Sequence, residues 1–229
     1  MTTYIKTQNL TIGYPKKVVL KDIAIDFHAG EFIGLIGPNA SGKSTLAKTL
    51  MGTLPKISGT IEKQAGLSQA YVPQKIRVNP QIPLNVAEFL DLKAGPIDLD
   101  WKHEVLQMVN LEKQTQASIH TLSGGQLQRL FVAYALLDKP KLIILDEATE
   151  GMDLSSLQEV FRHLKKYVEK ENACLVYITH DITAVSELCN RALCLHQGVA
   201  YDGSPNDPNF HQCLHNIYGE KTTIHDHRH

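Results

Sequence analysis

The chain has 229 residues, of which 43% are hydrophobic and 21% charged, and its formal net charge is -1. This length predicts one large α/β domain with room for a modest insertion. The nearly balanced charge gives no electrostatic reason to expect nucleic acid as a partner. No apolar run approaches the roughly 20 residues that span a bilayer, so another chain is expected to supply any membrane-spanning part.

The first predicted elements are strands, followed by a loop and a helix. Tyr4–Ile12 and Val19–Phe27 alternate apolar and polar residues, which predicts antiparallel strands with one polar face. The short apolar run Glu31–Ile36 precedes a glycine-bearing loop, and Lys43–Met51 favours a helix. Two more short strands around a turn are predicted within Gly59–Val72.

The middle of the chain has a helical pattern, and the last third alternates helices with buried strands. Helices are predicted at Leu84–Leu92, Asp100–Leu111, Gly124–Leu137, Leu154–Glu169 and Ile182–Leu188. Continuous apolar runs predict strands buried on both faces, and a hairpin is expected around Gly198. These strands lie at Leu142–Leu145, Cys174–Ile178 and Ala192–Leu195.

One segment fits the phosphate-loop pattern G-x-x-x-x-G-K-[ST] between a predicted strand and a predicted helix. It consists of Gly37, Pro38, Asn39, Ala40, Ser41, Gly42, Lys43, Ser44 and Thr45. Backbone N–H groups at the start of a helix attract the negative charge of a triphosphate. We expect Lys43 to reach the β- and γ-phosphates and Ser44 to offer its hydroxyl to magnesium.

Two carboxylates follow the buried strand Leu142–Leu145. Ligands collect at the carboxyl ends of strands in such sheets, so Asp146 is expected to hold magnesium through water. Glu147 is assigned as the general base or water-positioning group that acts on the γ-phosphate. The alternative, two solvated carboxylates that cap the next loop, is disfavoured because a phosphate loop lies upstream.

A second candidate anion site lies at the start of the helix predicted from Gly124. Ser123, Gly124, Gly125 and Gln126 combine two glycines, which leave backbone donors uncovered, with a serine hydroxyl. One chain cannot wrap both sites around one nucleotide, so this element is predicted to face the ATP of a second copy. The alternative is a flexible helix N-cap.

Together these motifs resemble the nucleotide-binding subunit of an ATP-binding-cassette (ABC) transporter over nearly the whole chain. The resemblance implies an α/β P-loop NTPase fold with a RecA-like core, an N-terminal antiparallel β subdomain and an inserted α-helical subdomain. The core is assigned to residues 1–82 and 138–218, the helical subdomain to 83–137, and a flexible tail to 219–229.

Further residue roles come from the same resemblance. Tyr14 corresponds to the residue that stacks on adenine, and Gln74 to the one that reaches magnesium and signals to the membrane subunit. Asp153, in a loop that begins at Glu150, corresponds to a coupling residue across the dimer. His180 corresponds to the switch histidine at the γ-phosphate, and its place after the strand Cys174–Ile178 is expected to bring it to the same sheet edge as Asp146.

Two small departures from the family pattern stand out. Ala40 occupies a position where glycine is usual, and alanine tolerates fewer backbone angles. Ala148 replaces a usual proline. Neither change removes a ligand of the nucleotide.

In the features that distinguish the subgroups of this family, the chain resembles the ATPase of a prokaryotic importer. The stretch between Gln74 and Leu122 is too short for the coiled coils of chromosome-maintenance ATPases, and the chain has neither a second cassette nor a fused membrane domain. The resemblance implies an ATP- and Mg²⁺-dependent homodimer at the cytoplasmic face of the membrane. Its partners would be permease subunits, gripped by a groove near Gln74–Glu88, and indirectly a solute-binding protein.

Histidines near the C-terminus suggest a transported metal. His225, His227 and His229 lie in the tail, and His211 and His215 are four residues apart on a predicted helix. Imidazole is a good ligand for zinc and similar ions, and the tail resembles those of zinc and manganese importer ATPases. The alternative is a solvated tail that happens to contain histidine.

Three other functions remain open from the sequence. An importer of iron chelates ranks next, and a non-transport ATPase such as an iron–sulfur assembly factor follows. A cassette that binds ATP without hydrolysing it is disfavoured because Lys43, Asp146, Glu147 and His180 are all present. The four cysteines lack metal-site spacing and are expected to be reduced and mostly buried.

Overall fold

The computed structural model describes residues 1–76, 78–79, 81–93, 95–96, 98–148 and 154–219. The chain divides into two compact units, the first formed by Met1–Gly66 with the chain from Cys174 onwards and the second by Leu67–Ala173. Within the described ranges, no helix combines the length and the apolar character needed to cross a membrane.

Ten strands and seven α-helices make up the described chain. The strands are β1 (Thr3–Tyr14), β2 (Lys17–Ile23), β3 (Asp26–His28), β4 (Phe32–Ile36), β5 (Ser58–Lys63), β6 (Gln69–Val72), β7 (Leu142–Asp146), β8 (Cys174–Ile178), β9 (Arg191–Leu195) and β10 (Val199–Gly203). The helices are α1 (Lys43–Leu50), α2 (Val86–Asp91), α3 (Leu99–Met108), α4 (Gly124–Leu136), α5 (Leu154–Glu171), α6 (Ile182–Leu188) and α7 (Pro208–Tyr218).

The antiparallel sheet of the first unit is built around β1, which pairs with β2, β3 and β5. The prediction of one strand over Val19–Phe27 is wrong, because the chain breaks between β2 and β3. At the break, the Thr7 hydroxyl donates to the Ile25 carbonyl (3.0 Å) and accepts from the Ile25 N–H (2.8 Å). A side chain thus satisfies backbone groups that a continuous strand would have paired in its ladder.

The second sheet of this unit has the strand order β10-β9-β4-β8. β4 is parallel to both β8 and β9, while β9 and β10 form the predicted antiparallel hairpin. Every residue of β4 and β8 is buried, as expected for continuous apolar runs covered on both faces. This arrangement fixes the carboxyl end of β4, from which the phosphate loop leaves the sheet.

The second unit combines a parallel strand pair with helices. β6 pairs with β7, and Tyr71 lies opposite Ile144. The strands predicted within Gly59–Val72 both form, but β5 pairs with β1 and β6 pairs with β7. Helices α2, α3 and α4 fall inside the segment 83–137, whose status as a separate subdomain stays a prediction.

Aromatic side chains hold the helices of the second unit together. The Phe89 ring of α2 packs against Phe131 and Tyr134 of α4 at centroid distances of 5.1 and 5.2 Å. Trp101 of α3 stacks near Tyr167 of α5 and donates its indole N–H to the Leu136 carbonyl at 3.0 Å. These contacts bury large apolar rings while giving the indole its partner.

One partly buried ion network, centred on the buried Glu31, joins distant segments of the first unit. Arg191 donates two hydrogen bonds to Asp202 (2.6 and 2.7 Å), two to Glu31 (3.0 and 3.1 Å) and one to the Asp26 carbonyl (2.7 Å). Burial opposes the charge of Arg191, but the hydrogen bonds and charges of Asp202 and Glu31 outweigh it and raise the pKa of the guanidinium. The network therefore fixes β9, β10 and the start of β4 to one another.

Replacing Arg191 by Met is expected to lower the free energy of unfolding by about 3–5 kcal/mol, because the buried Glu31 carboxylate loses its partner. The matched control is Arg162→Met, whose ion pair with Glu159 lies at the surface (63% and 44% exposed side chains). That control should cost no more than about 1 kcal/mol. Urea unfolding of both variants measures the difference, and equal losses would contradict a structural role for this network.

Candidate active site

The phosphate loop leaves the end of β4 through Gly37, and the local geometry requires glycine there. Gly37 has φ 149°, and a Cβ at this position would lie 2.3 Å from the Leu195 carbonyl oxygen and 2.7 Å from Ser41 Oγ. Any side chain would push the loop away from β9. The predicted order of strand, glycine loop and helix is confirmed, and α1 begins at Lys43 as expected.

The loop has the features that a polyphosphate needs. Gly42 precedes α1 in a left-handed conformation (φ 104°) and contributes no capping side chain, an arrangement that suits anion binding by first-turn N–H groups. The Lys43 ammonium lies over the loop and donates to the carbonyls of Gly37 (2.7 Å) and Pro38 (3.1 Å) while only 6% of the residue is exposed. Ser41 Oγ is buried without a hydrogen-bond partner among the described residues. These donors fit a triphosphate.

Ala40 sits in the left-handed region with φ 63°. For an L-residue with a Cβ this conformation costs roughly 1–2 kcal/mol. The position at which the sequence departs from the usual glycine is therefore one at which the backbone favours glycine. Asn39 beside it is exposed, as is Ala40, so the strained residue lies on the outer side of the loop.

Two other predicted residues of the first unit lie at the ends of strands. Tyr14 is the last residue of β1, pairs with Lys17 and is 43% exposed. His180 follows β8 after Thr179 and is exposed. Their predicted roles toward nucleotide, and the predicted position of His180 beside Asp146, stay predictions.

The C-terminal helix α7 reaches the phosphate loop, which the sequence did not predict. Burial and, to a smaller extent, the thiols of Cys194 and Cys213 raise the pKa of Tyr218 to about 12, while a hydrogen bond with the Gly37 backbone acts in the opposite direction. Tyr218 therefore lies against the first residue of the loop. No motif signals this contact, because it depends on how α7 folds back onto β9 and β10.

The two carboxylates of the second unit each contact a side chain from the segment 71–74. The Tyr71 hydroxyl donates to Asp146 Oδ2 at 2.7 Å, and only 3% of Asp146 is exposed. Gln74 Nε2 donates to Glu147 Oε2. The structure thus brings Gln74, Asp146 and Glu147 together, as the predicted site requires, and adds Tyr71.

Glu147 itself is strained. Its φ is 49°, in the left-handed region that residues with long side chains rarely adopt. Backbone strain of this kind costs of order 1–3 kcal/mol and concentrates at functional sites. At Glu147, immediately after Asp146, the backbone turns away from the direction of β7.

The segment at the start of α4 is a well-formed helix N-cap. Ser123 Oγ accepts from the Gln126 N–H (3.2 Å), and Gln126 Oε1 accepts from the Ser123 N–H (2.9 Å), so the pair forms a capping box. Gly124 has open space around its Cα, since a Cβ there would meet no atom within 4 Å. The capping box does not prevent this segment from contacting the nucleotide of a second copy. That contact stays a prediction.

Farther along α4, Gln128 connects this helix with the loop after β6. Its Nε2 donates weakly to the Gln74 carbonyl at 3.4 Å. Gln128 is buried, which the sequence alone did not indicate. The contact links α4 with Gln74, the glutamine that holds Glu147.

Several predicted residues lie outside the described ranges, and no cluster of metal-binding side chains is present within those ranges. Asp153 and the histidines His225, His227 and His229 lie outside the described residues. Over the parts of the chain that are described, no group of three or more His, Cys, Asp or Glu side chains could hold a metal ion. His211 and His215 lie on α7, as predicted, and are exposed.

The cysteines behave as structural thiols. All four are free, with Cys174, Cys189 and Cys194 buried and Cys213 half-buried. Burial raises the pKa of Cys189 and Cys194 to about 12. Neither thiol is a thiolate near neutral pH, in agreement with the predicted reduced and mostly buried cysteines.

Replacing Ala40 by Gly is expected to raise the free energy of unfolding by about 0.5–1 kcal/mol, because relief of the left-handed strain exceeds the added backbone entropy. The matched control is Ala47→Gly inside α1, where the same change should destabilise the protein by at least about 1 kcal/mol. Equilibrium unfolding in urea measures both variants. A loss of stability in Ala40→Gly would contradict the left-handed geometry of the loop.

Comparisons with known proteins agree on one family. The family described as ABC transporter matches residues 20–150. A zinc import ATP-binding protein ZnuC of Vibrio vulnificus is 34% identical over 233 residues, which cover 100% of this chain and 89% of that protein.

Solved structures show the same fold. A protein described as a metal-chelate type ABC transporter in an inward-facing conformation has a TM-score of 0.82 and 26% identity over 95% of this chain and 89% of its own. A bacterial Atm1-family ABC exporter has a TM-score of 0.85 at 17% identity, over 97% of this chain and 43% of its own. A metal-chelate type transporter and an exporter therefore share this fold, and the chain belongs to the ATP-binding-cassette (ABC) transporter family as an ATPase that binds ATP.

Proposed function

We propose that this chain is the ATP-hydrolysing subunit of an importer for a transition-metal ion, with zinc favoured and manganese next. The observation that carries the proposal is the similarity, along the full chain, to a zinc import ATP-binding protein. The fold alone does not carry it, because an exporter shares that fold.

ATP binding is assigned to the phosphate loop. The start of α1, the buried Ser41 hydroxyl and the Lys43 ammonium supply donors and positive charge for the β- and γ-phosphates. On binding, Lys43 would exchange its loop carbonyl acceptors for phosphate oxygens. Tyr14, exposed at the end of β1, offers a ring for the adenine.

Hydrolysis is assigned to the carboxylates after β7. Ser44, Gln74 and Asp146 would hold Mg²⁺, which neutralises charge on the phosphate oxygens when bound. Glu147 would orient and deprotonate the attacking water, and His180 would hydrogen-bond a γ-phosphate oxygen. Since Gln74 holds the Glu147 carboxylate in this structure, Gln74 must release or share it before Glu147 can act on water.

A second copy completes the proposed site. Ser123, Gly124, Gly125 and Gln126 would contact the nucleotide bound to the partner, and Asp153 would couple the two sites. Separate permease subunits and a solute-binding protein would complete the importer at the cytoplasmic face of the membrane. Closure of the ATPase dimer would then drive the permease between its two states.

The variant Glu147→Gln is expected to form a stable dimer in ATP and Mg²⁺, because the amide cannot accept the water proton and hydrolysis stops. Removal of one general base typically costs about 10²–10⁴-fold in rate. Light scattering measures the dimer and phosphate release measures turnover. The control is Glu62→Gln, an exposed residue of β5, which should hydrolyse ATP at the wild-type rate and accumulate no more dimer than the wild type does. A monomeric Glu147→Gln in ATP would contradict the mechanism.

The metal content of cells tests the proposed substrate. Cells that lack the chain are complemented with the wild type, with Glu62→Gln, with Glu147→Gln or with Lys43→Ala, and their zinc, manganese and iron are measured by elemental analysis. We expect zinc, or next manganese, to fall and to be restored by the wild type and Glu62→Gln only. Unchanged zinc and manganese would contradict a role in their uptake.

An importer of iron chelates is the second candidate, favoured by the similarity to the metal-chelate type transporter. In the same experiment it predicts a loss of iron instead of zinc or manganese. A non-transport ATPase, such as an iron–sulfur assembly factor, predicts that the chain purifies without an integral membrane protein.

A further inference from the structure

The hydrogen bond between Tyr71 and Asp146 has a defined structural origin. β6 and β7 are parallel, and Tyr71 lies opposite Ile144, two residues before Asp146. Two residues of a parallel strand advance about 6.6 Å. A tyrosine side chain that leans along the strand spans this distance, and its hydroxyl meets Asp146 Oδ2 at 2.7 Å.

The environment of Asp146 makes this bond important. Only 3% of Asp146 is exposed, and a buried carboxylate needs hydrogen-bond donors to compensate for the water it has lost. A hydroxyl that donates to an ionised carboxylate forms one of the stronger hydrogen bonds in proteins. Because Tyr71 holds Oδ2, it restricts the rotation of the carboxylate and with it the positions that Oδ1 can take.

Gln74 also contacts a carboxylate of this site, but unlike Tyr71 it does not belong to a strand. Tyr71 lies within β6, whereas Gln74 follows the end of the strand at Val72. A change in the conformation of the loop that carries Gln74 would alter the contact between Gln74 and Glu147. The pairing of β6 with β7, in contrast, keeps Tyr71 beside Asp146. The segment 71–74 thus contacts one carboxylate from within a strand and the other from the loop that follows it.

We infer that Tyr71 is a positioning residue for the magnesium site: its hydroxyl holds the Asp146 carboxylate in the orientation that binds the metal. The inference rests on the proposed function, in which Asp146 holds Mg²⁺. Partners that orient the groups of a metal site typically change metal affinity by about 10–100-fold when they are removed. The phenol therefore contributes to metal affinity through its hydrogen bond to Asp146.

The test measures metal binding separately from nucleotide binding. Mn²⁺ serves as the probe in place of Mg²⁺, and electron paramagnetic resonance measures free Mn²⁺ in the presence of a non-hydrolysable ATP analogue. Affinity for the analogue alone is measured in EDTA. We expect Tyr71→Phe to weaken Mn²⁺ binding about 10-fold, with its metal-free nucleotide affinity unchanged. Tyr71→Leu, a second replacement without a hydroxyl, should give the same loss.

The matched control is Tyr167→Phe. It also removes a phenolic hydrogen bond of the second unit, from Tyr167 to the Pro140 carbonyl at 2.9 Å, but it leaves Asp146 untouched. This control should bind Mn²⁺ as the wild type does. If Tyr167→Phe loses as much Mn²⁺ affinity as Tyr71→Phe, or if Tyr71→Phe loses metal-free nucleotide affinity in parallel, the specific role of Tyr71 is overturned.

A further variant separates this inference from the function on which it rests. Asp146→Asn should lose Mn²⁺ affinity more severely than Tyr71→Phe, because the carboxylate that holds the metal through water loses its charge. Wild-type Mn²⁺ binding in Asp146→Asn would overturn the proposed magnesium site. Wild-type binding in Tyr71→Phe, together with a loss in Asp146→Asn, would overturn only the role of Tyr71.

Discussion

Two buried charges, on Lys43 and Asp146, impose the main requirement that the surrounding structure must satisfy. Only 6% of Lys43 and 3% of Asp146 are exposed. A charge removed from water is tolerated when hydrogen bonds replace its hydration. Carbonyls of the phosphate loop supply this for Lys43, and the Tyr71 hydroxyl contributes to it for Asp146. Each site is thus organised before any nucleotide binds.

The same regions contain strained backbone. Ala40 in the phosphate loop and Glu147 after β7 both have positive φ, at 63° and 49°. Such strain persists only where the surrounding structure compensates for it. Buried strands β4 and β7 provide this compensation, because each anchors one end of the strained turn within its own unit. The strain at these residues lowers the stability of the fold, and it places a few functional atoms in the site.

Local sequence patterns were sufficient where the chemistry is local. The phosphate loop and the carboxylate pair after β7 each lie within a few consecutive residues. Their physical causes, namely a backbone that requires glycine and a buried strand that ends at its ligands, act over the same short distance. The helices and nearly all strands were likewise predicted, because the periodicity of apolar residues that indicates them lies within short continuous segments.

Contacts between distant segments were not predictable in this way. The sequence contains Tyr71 three residues before Gln74, yet nothing in that segment shows that β6 pairs with β7 and so brings Tyr71 to Asp146. The break between β2 and β3 depends on Thr7, and the contact of Tyr218 with the phosphate loop depends on the packing of α7. The sequence by itself therefore determined the family, the motifs and the order of elements. Only the tertiary structure decided which side chains hold the functional groups in place, because strand pairing and helix packing join residues whose separation along the chain carries no local signal.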